Sequence, residues 1–335
     1  MSELISVIIT CHNLERYIGE AIESVLTQDY EGPVELLVVD DASTDRSAQV
    51  IQRYPSAVYL ATPNNIGVLM ATVSGLQRAS GDVVFFLDGD DIWRSDKLRL
   101  CMQRFDTDPK LGLLTHDLAY MDANGTLLGR VSRPSQVFGD QPVDGEWVRR
   151  GILNHTDYVW LGSAYAVRRS AIGAEGFCAW AERLPDPFNT YQDWPLAYWA
   201  ASQPDVTMAY VPKKLFNYRL HGANYSGDAS NVQKVLRNLR RAFNTMDAIL
   251  DITNRAGLQG ETRKITLRKR AFYEYLLHLY SGKRLSAAWE FFASQPYLFN
   301  SAHSPGKEWV RFIGIQALGV KQFVRVAARR TAAVS

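Results

Sequence analysis

Residues 83–91 read Val-Val-Phe-Phe-Leu-Asp-Gly-Asp-Asp. Five apolar residues in a row, rich in β-branched and aromatic types, describe a strand buried on both faces. The strand runs directly into three carboxylates, Asp88, Asp90 and Asp91. Carboxylates clustered this closely repel one another unless a cation sits among them, and hard oxygen ligands select Mg²⁺ or Mn²⁺ over zinc. A divalent ion held there would clamp a diphosphate. The alternative for the triplet is a helix start stabilised by acids, because Ile92-Trp93 to Met102 carries a helical pattern.

Upstream of this stretch, short apolar runs alternate with helical patterns. Strands are expected at Ser6 to Thr10, Val34 to Asp40, Val58 to Ala61 and Val83 to Asp88, with helices over Ile18 to Leu26, Ser47 to Arg53 and Gly67 to Ala79. That rhythm is a Rossmann-like α/β layer, in which ligands bind at the carboxyl ends of the strands. Three of those ends carry polar groups: Thr10, the pair Asp40-Asp41, and the 88–91 acids. Their convergence predicts one site. In VVDDASTD (38–45), Asp41 is suited to accept hydrogen bonds from a base or ribose, while Ser43 and Thr44 are suited to cap the next helix.

Between about 110 and 225 the pattern turns irregular. Short strands are expected at Gly112 to His116 and Ser163 to Val167, among dense aromatics: Tyr158, Trp160, Trp180, Tyr191, Trp194, Tyr198 and Trp199. These suit either core packing or a sugar-binding wall. From Asn231 onward strands disappear and apolar residues recur at helical spacing. The expected organisation is therefore an α/β domain over 1–228, with a first half of about 1–110 and a second of about 111–228, followed by a basic helical region over 229–335.

Composition excludes several classes. The chain has 335 residues, 47% hydrophobic and 21% charged, so disorder and fibrous repeats are ruled out. A net charge of +2 gives no reason to expect nucleic acid. The distribution is uneven, however: residues 1–230 carry 19 basic and 29 acidic side chains, and residues 231–335 carry 18 and 6. Cys11, Cys101 and Cys178 show no CxxC spacing, which fits a reduced compartment. Glu3 and a short apolar run argue against a signal peptide, and no stretch reaches the about 18 uncharged apolar residues of a spanning helix. A cytoplasmic protein, at most peripheral on the inner membrane face, is expected.

Taken in order, SVIITCHNLERYIGEAIESVLTQDY (6–30), ELLVVDDASTD (35–45), NNIG (64–67), GDVVFFLDGDDIW (81–93), YQDW (191–194) and YRLHGANYS (218–226) resemble the family 2 glycosyltransferases. The resemblance implies a GT-A fold and an inverting, metal-dependent transfer of a sugar from a nucleotide-sugar, with UDP the default, to an acceptor hydroxyl. It implies that Thr10 and Asp41 contact the base and that Asp40 supports the ribose or its loop. Asp88 and Asp90 would hold Mn²⁺ or Mg²⁺ on the donor diphosphate, with His221 completing the metal shell and Arg219 or Ser226 close by. Asp193 would be the general base. The acceptor would be a saccharide or lipid-linked sugar of surface polysaccharide or glycolipid synthesis.

Two sites, three residues in all, depart from the family pattern. Thr72-Val73 replaces a usual Arg-Asn pair, and Gln192 replaces a usual Glu. Those departures keep a second reading open, a catalytically silent nucleotide-sugar-binding or assembly protein. A nucleotidyltransferase is disfavoured because CHNLER (11–16) lacks the glycines of a phosphate loop. Finally, residues 307–330 pattern as an amphipathic helix, with Trp309, Phe312, Ile313, Val320, Phe323 and Val324 on one side and Arg311, Lys321, Arg325 and Arg329 on the other. With Arg268-Lys269-Arg270, that helix either meets an anionic membrane surface or packs on the catalytic domain.

Overall fold

The computed structural model describes residues 3–129, 142–154, 161–221, 232–283, 285–292 and 305–320. The chain divides into two compact units, Met1–Ile152 with Thr156–His221, and Leu153–His155 with Gly222–Ser335.

The first unit is built on one mixed sheet. Its leading half comprises β1 (Ile5–Cys11), β2 (Val34–Asp40), β3 (Ala57–Ala61) and β4 (Val83–Asp88), all parallel and ordered β3-β2-β1-β4. The period of two along β1 explains why helices cover both faces. Ile5, Val7, Ile9 and Cys11 share a core with Ile18, Ala21, Ile22 and Val25 of α1 (Ile18–Leu26), Ile51 of α2 (Ser47–Ile51), and Leu98, Cys101 and Phe105 of α4 (Lys97–Thr107). Ile8, on the opposite face, lies against Gly75 of α3 (Val68–Arg78).

The short β5 (Ile92–Trp93) follows the acid cluster. The expected helix start at Ile92 is thus corrected. Ile92 and Trp93 pair antiparallel with Asn217 and Phe216, and the helix begins only at Lys97. The pairing wins because Trp93, whose ring packs edge-on to Phe85, is buried there.

The second half of the sheet adds β6 (Leu111–Met121), with β7 (Leu127–Leu128) paired to it, then β8 (Val143–Asp144), α5 (Gly145–Leu153), β9 (Ala166–Arg168), α6 (Arg169–Ile172), α7 (Ala174–Ala181), α8 (Asp193–Ala200) and β10 (Thr207–Arg219). β9 runs antiparallel to both β4 and β6, and β10 is parallel to β6. Two reversals restore the direction, so β6 and β10 end on the same edge as β1, β2 and β4. The 13-residue β10 was not expected from the sequence. Its alternation is hidden by Pro212 and by irregularities in its register with β6.

The aromatic-rich stretch divides. Trp180, Phe177 and Trp199 pack together, and Trp180 and Tyr198 are buried, which is core packing. Tyr191 and Trp194 are partly exposed, with ring centroids 6.0 Å apart. Tyr158 and Trp160 lie outside the described residues.

The second unit is helical, with α9 (Val232–Arg255), α10 (Gly260–Tyr280), α11 (285–292) and α12 (Pro305–Leu318). Phe291 stacks on Phe312 at 4.5 Å and meets Trp309 edge-on at 4.7 Å, joining α11 to α12. The continuous helix expected over 307–330 is corrected: α12 ends at Leu318, and Gly319 takes a positive φ of 76°. Phe323, Val324, Lys321, Arg325 and Arg329 lie outside the described residues. The expected basic cluster at 268–270 is also corrected. Lys269 is buried, Arg268 pairs with Glu261, and Arg270 bonds Asp247 on α9 and Glu274. The Arg270–Asp247 pair joins α10 to α9. No helix of the described residues is long and apolar enough to cross a membrane.

Candidate active site

The shared edge of β1, β2, β4 and β10 gathers the expected residues. The 88–91 turn starts where β4 ends, and Gly89 lets it press against β1. Its amide donates to the Thr10 carbonyl at 2.9 Å, and a Cβ there would lie 2.9 Å from that oxygen. No other residue fits without moving the turn.

The three acids have different surroundings. Asp91 is 1% exposed and turned inward, accepting from the Ser163 hydroxyl at 2.7 Å and from the Arg219 amide at 2.9 Å. Burial, then Asp90 and Asp88, hold its carboxyl well above the usual range. Asp88 and Asp90 are partly exposed. Asp88 Oδ1 accepts from Gln192 Nε2 at 2.9 Å and from the Thr10 hydroxyl at 3.4 Å. Burial, and then the neighbouring Asp90 charge, push Asp88 up to about 6 despite those bonds. Asp90 Oδ2 lies 2.9 Å from His221 Nε2, which donates to it.

Among the described residues no three His, Cys, Asp or Glu side chains form a ready-made cation cage. What exists is a like-charge pair with Oδ2 of Asp88 and Oδ1 of Asp90 left over by those bonds. Such a pair fits a hard divalent ion that takes its other ligands from phosphate oxygens.

Arg219, expected near the donor, is 1% exposed and committed to the protein. Its guanidinium donates to Glu20 at 2.6 Å and to the Asp90 carbonyl at 2.8 Å, and lies 4.7 Å from the Tyr17 ring centroid. It fixes the backbone under the acid pair.

At the end of β2, both acids organise loops. Asp40 accepts from the Ser43 amide at 3.0 Å and the Tyr59 hydroxyl at 3.0 Å, holding Ala42 at a strained φ of 51°. Asp41 accepts from the Ile66 and Gly67 amides at 2.7 and 2.8 Å and from the Thr62 hydroxyl at 3.0 Å. Asp193 opens α8 and accepts from the Trp194 amide at 3.0 Å. The cap position itself belongs to Gln192, whose side chain makes no capping bond.

Several residues in this region were not singled out from the sequence. His12 donates from Nδ1 to the Asp41 carbonyl at 2.6 Å, while Nε2 lies 2.9 Å from Asn65 Nδ2 and 3.1 Å from Asn13 Nδ2. The signal available was the CHN run directly after β1. Lys97 is wholly buried, its ammonium donating to the Ser163 carbonyl at 2.6 Å and lying 3.8 Å from the Trp93 ring centroid. Burial pushes it down to about 7. A lysine in an ordinary helical stretch gives no sequence signal of that kind.

Residues 6–131 match the family model described as Glycosyl transferase family 2. Over that stretch the chain is similar to the family 2 glycosyltransferases. An uncharacterized glycosyltransferase of Nostoc sp. is 26% identical to it over 92% of this chain and 96% of its own length. The Escherichia coli UDP-Glc:alpha-D-GlcNAc-diphosphoundecaprenol beta-1,3-glucosyltransferase WfaP is 28% identical over 40% of this chain and 53% of its own. Among solved structures, residues 1–349 of Staphylococcus aureus TarS in complex with UDP-GlcNAc superpose with a TM-score of 0.61 at 17% identity, covering 98% of this chain and 92% of that one. The fold of this glycosyltransferase is GT-A with a C-terminal helical region, as the sequence implied.

Proposed function

We propose that this glycosyltransferase moves a sugar from a UDP-sugar to an acceptor hydroxyl with inversion, using Mn²⁺ or Mg²⁺ at Asp88 and Asp90. The carrying observation is the state of those two acids. They lie together at the sheet edge with one oxygen each left over, and Asp88 is destabilised as an anion by burial and by Asp90. A bound cation supplies the charge neutralisation that a departing nucleoside diphosphate needs.

The protein's own groups do the rest. His221 holds Asp90, and Arg219 holds the backbone beneath it. Thr10 sits at the mouth of the nucleotide pocket beside Asp88. Asp40 and Asp41 shape its wall by fixing the 42–44 turn and the 62–67 loop. Asp193 accepts the proton of the attacking hydroxyl. A carboxylate is a weak base, so it acts by proximity, concerted with bond formation. Tyr191 and Trp194, partly exposed beside it, are suited to stack on an acceptor sugar.

The acceptor is proposed to be a saccharide or lipid-linked sugar in surface polysaccharide or glycolipid synthesis, met at an anionic membrane face. Support comes from what WfaP is named for, and from the second unit. There Leu285 and Trp289 are 90% and 80% exposed, and Phe292, Val310 and Ile313 are exposed too, in a region with three times as many basic as acidic residues.

Calorimetric titration with UDP, GDP and dTDP, each with Mn²⁺ and with EDTA, tests the reading. UDP is expected to bind far better with metal, and Asp90→Ala to abolish that gain. Asp193→Asn should keep donor binding and lose turnover by about 10²-fold or more. Absence of turnover in the wild type with metal-dependent UDP binding intact would instead favour the silent binding protein.

A further inference from the structure

Thr72 and Gln192, two of the three residues that depart from the pattern this sequence resembles, meet in space. The Thr72 hydroxyl donates to Gln192 Oε1, sharing its proton with the Val68 carbonyl at 2.9 Å, and Gln192 Nε2 donates to Asp88 Oδ1 at 2.9 Å. Both side chains are buried. An ionised carboxylate only accepts, so the amide is oriented by chemistry: nitrogen toward Asp88, oxygen toward Thr72. Space fixes it too, because a Cβ on Gly162 would stand 2.6 Å from Gln192 Nε2.

The chain of bonds links three elements. Thr72 is on α3, Asp88 ends β4, and Gln192 stands directly before α8, one residue ahead of Asp193. A fourth acid at 192 would add charge beside Asp88, Asp90 and Asp91. The neutral pair holds the same ground without it.

We propose that Thr72 and Gln192 form one positioning unit, in which the amide, steadied by the threonine hydroxyl, fixes the Asp88 carboxylate by Oδ1, leaves Oδ2 for the donor's cation, and ties it to the helix that Asp193 opens. This rests on the reading of Asp88 as a cation ligand. The departures at 72 and 192 are then a single coupled replacement that preserves the site.

Free Mn²⁺ measured by electron paramagnetic resonance, with and without UDP, tests the unit on full-length protein whose folding is checked by circular dichroism. Gln192→Met and Thr72→Val are each expected to weaken Mn²⁺ uptake with UDP about tenfold. The double variant should be no worse than the weaker single, because each breaks the same unit. Thr72→Ser should restore wild-type uptake. Gly162→Ala, which displaces the amide without removing it, should reproduce the Gln192→Met loss and serves if that variant does not fold. Folded single variants with wild-type uptake, or losses that multiply in the double variant, would overturn the proposal. A wild type that takes up no Mn²⁺ with any nucleotide would overturn the ligand reading of Asp88 and the unit with it.

Discussion

Asp88 and Lys97 show how burying a single charged side chain makes stability depend on pH. Asp88 titrates near 6 in the fold and near 4 when unfolded, so between those values the folded chain binds more protons. Stability from this group is therefore greatest below pH 4 and is lost as the pH rises through 6. Asp88→Asn is expected to stabilise the metal-free protein at pH 7.5 by about 1–3 kcal/mol, measured by urea unfolding, with about a third of that gain left at pH 4.5. Lys97 has the opposite sign. Its ammonium is depressed to about 7 against 10.5 unfolded, so the unfolded chain binds more protons between pH 7 and 10. Wild-type stability should rise over that window by on the order of a few kcal/mol relative to Lys97→Met. A flat difference between the two unfolding profiles would show that Lys97 stays charged in the fold.

At the scale of elements, what matters is how β4, β5 and β10 are held together. The apolar run ending in acids announced β4 and the turn after it. It did not announce β5, because two residues carry no period and Ile92-Trp93 continue equally well into a helix. Only pairing with Phe216 and Asn217 decides it. That pairing brings the Arg219 amide to Asp91 and so closes the acid turn. Gly89→Ala tests the turn's fit against β1. It is expected to cost about 1–3 kcal/mol of stability and to weaken metal-dependent UDP binding, read by unfolding and by titration, since the added carbon meets the Thr10 carbonyl. Similarly, the amphipathic period near the C-terminus was legible as a helix, whereas its end at Gly319 and the stacking of Phe312 on Phe291 were not.

For the molecule as a whole, the catalytic unit carries the acidic excess, and the helical unit carries exposed apolar side chains with the basic excess. Such a surface suits anionic lipid. Sedimentation with vesicles of phosphatidylglycerol and phosphatidylcholine is expected to carry the protein down at low salt and less so at high salt. The double variant Leu285→Ser, Trp289→Ser should cut the bound fraction severalfold. These side chains are a better probe than deletion of 305–335, which would also uncover the buried Phe291. Equal binding of variant and wild type would remove this face from any membrane role.

By itself, the sequence determined the parallel strands, the strand ends where polar groups collect, and the likeness to a known family, because each is written in local period and in short ordered motifs. Thr10, Asp40, Asp41, Asp88, Asp90, Arg219 and His221 could all be named from such motifs. What each one does with its polar atoms was decided only by tertiary structure. Asp91 turns inward, Arg219 bonds to Glu20 and backbone, and Gln192 reaches back 120 residues to Thr72 and 104 to Asp88. The reason is physical: a hydrogen bond depends on which groups are brought within about 3 Å and away from water, and that is set by how distant elements pack.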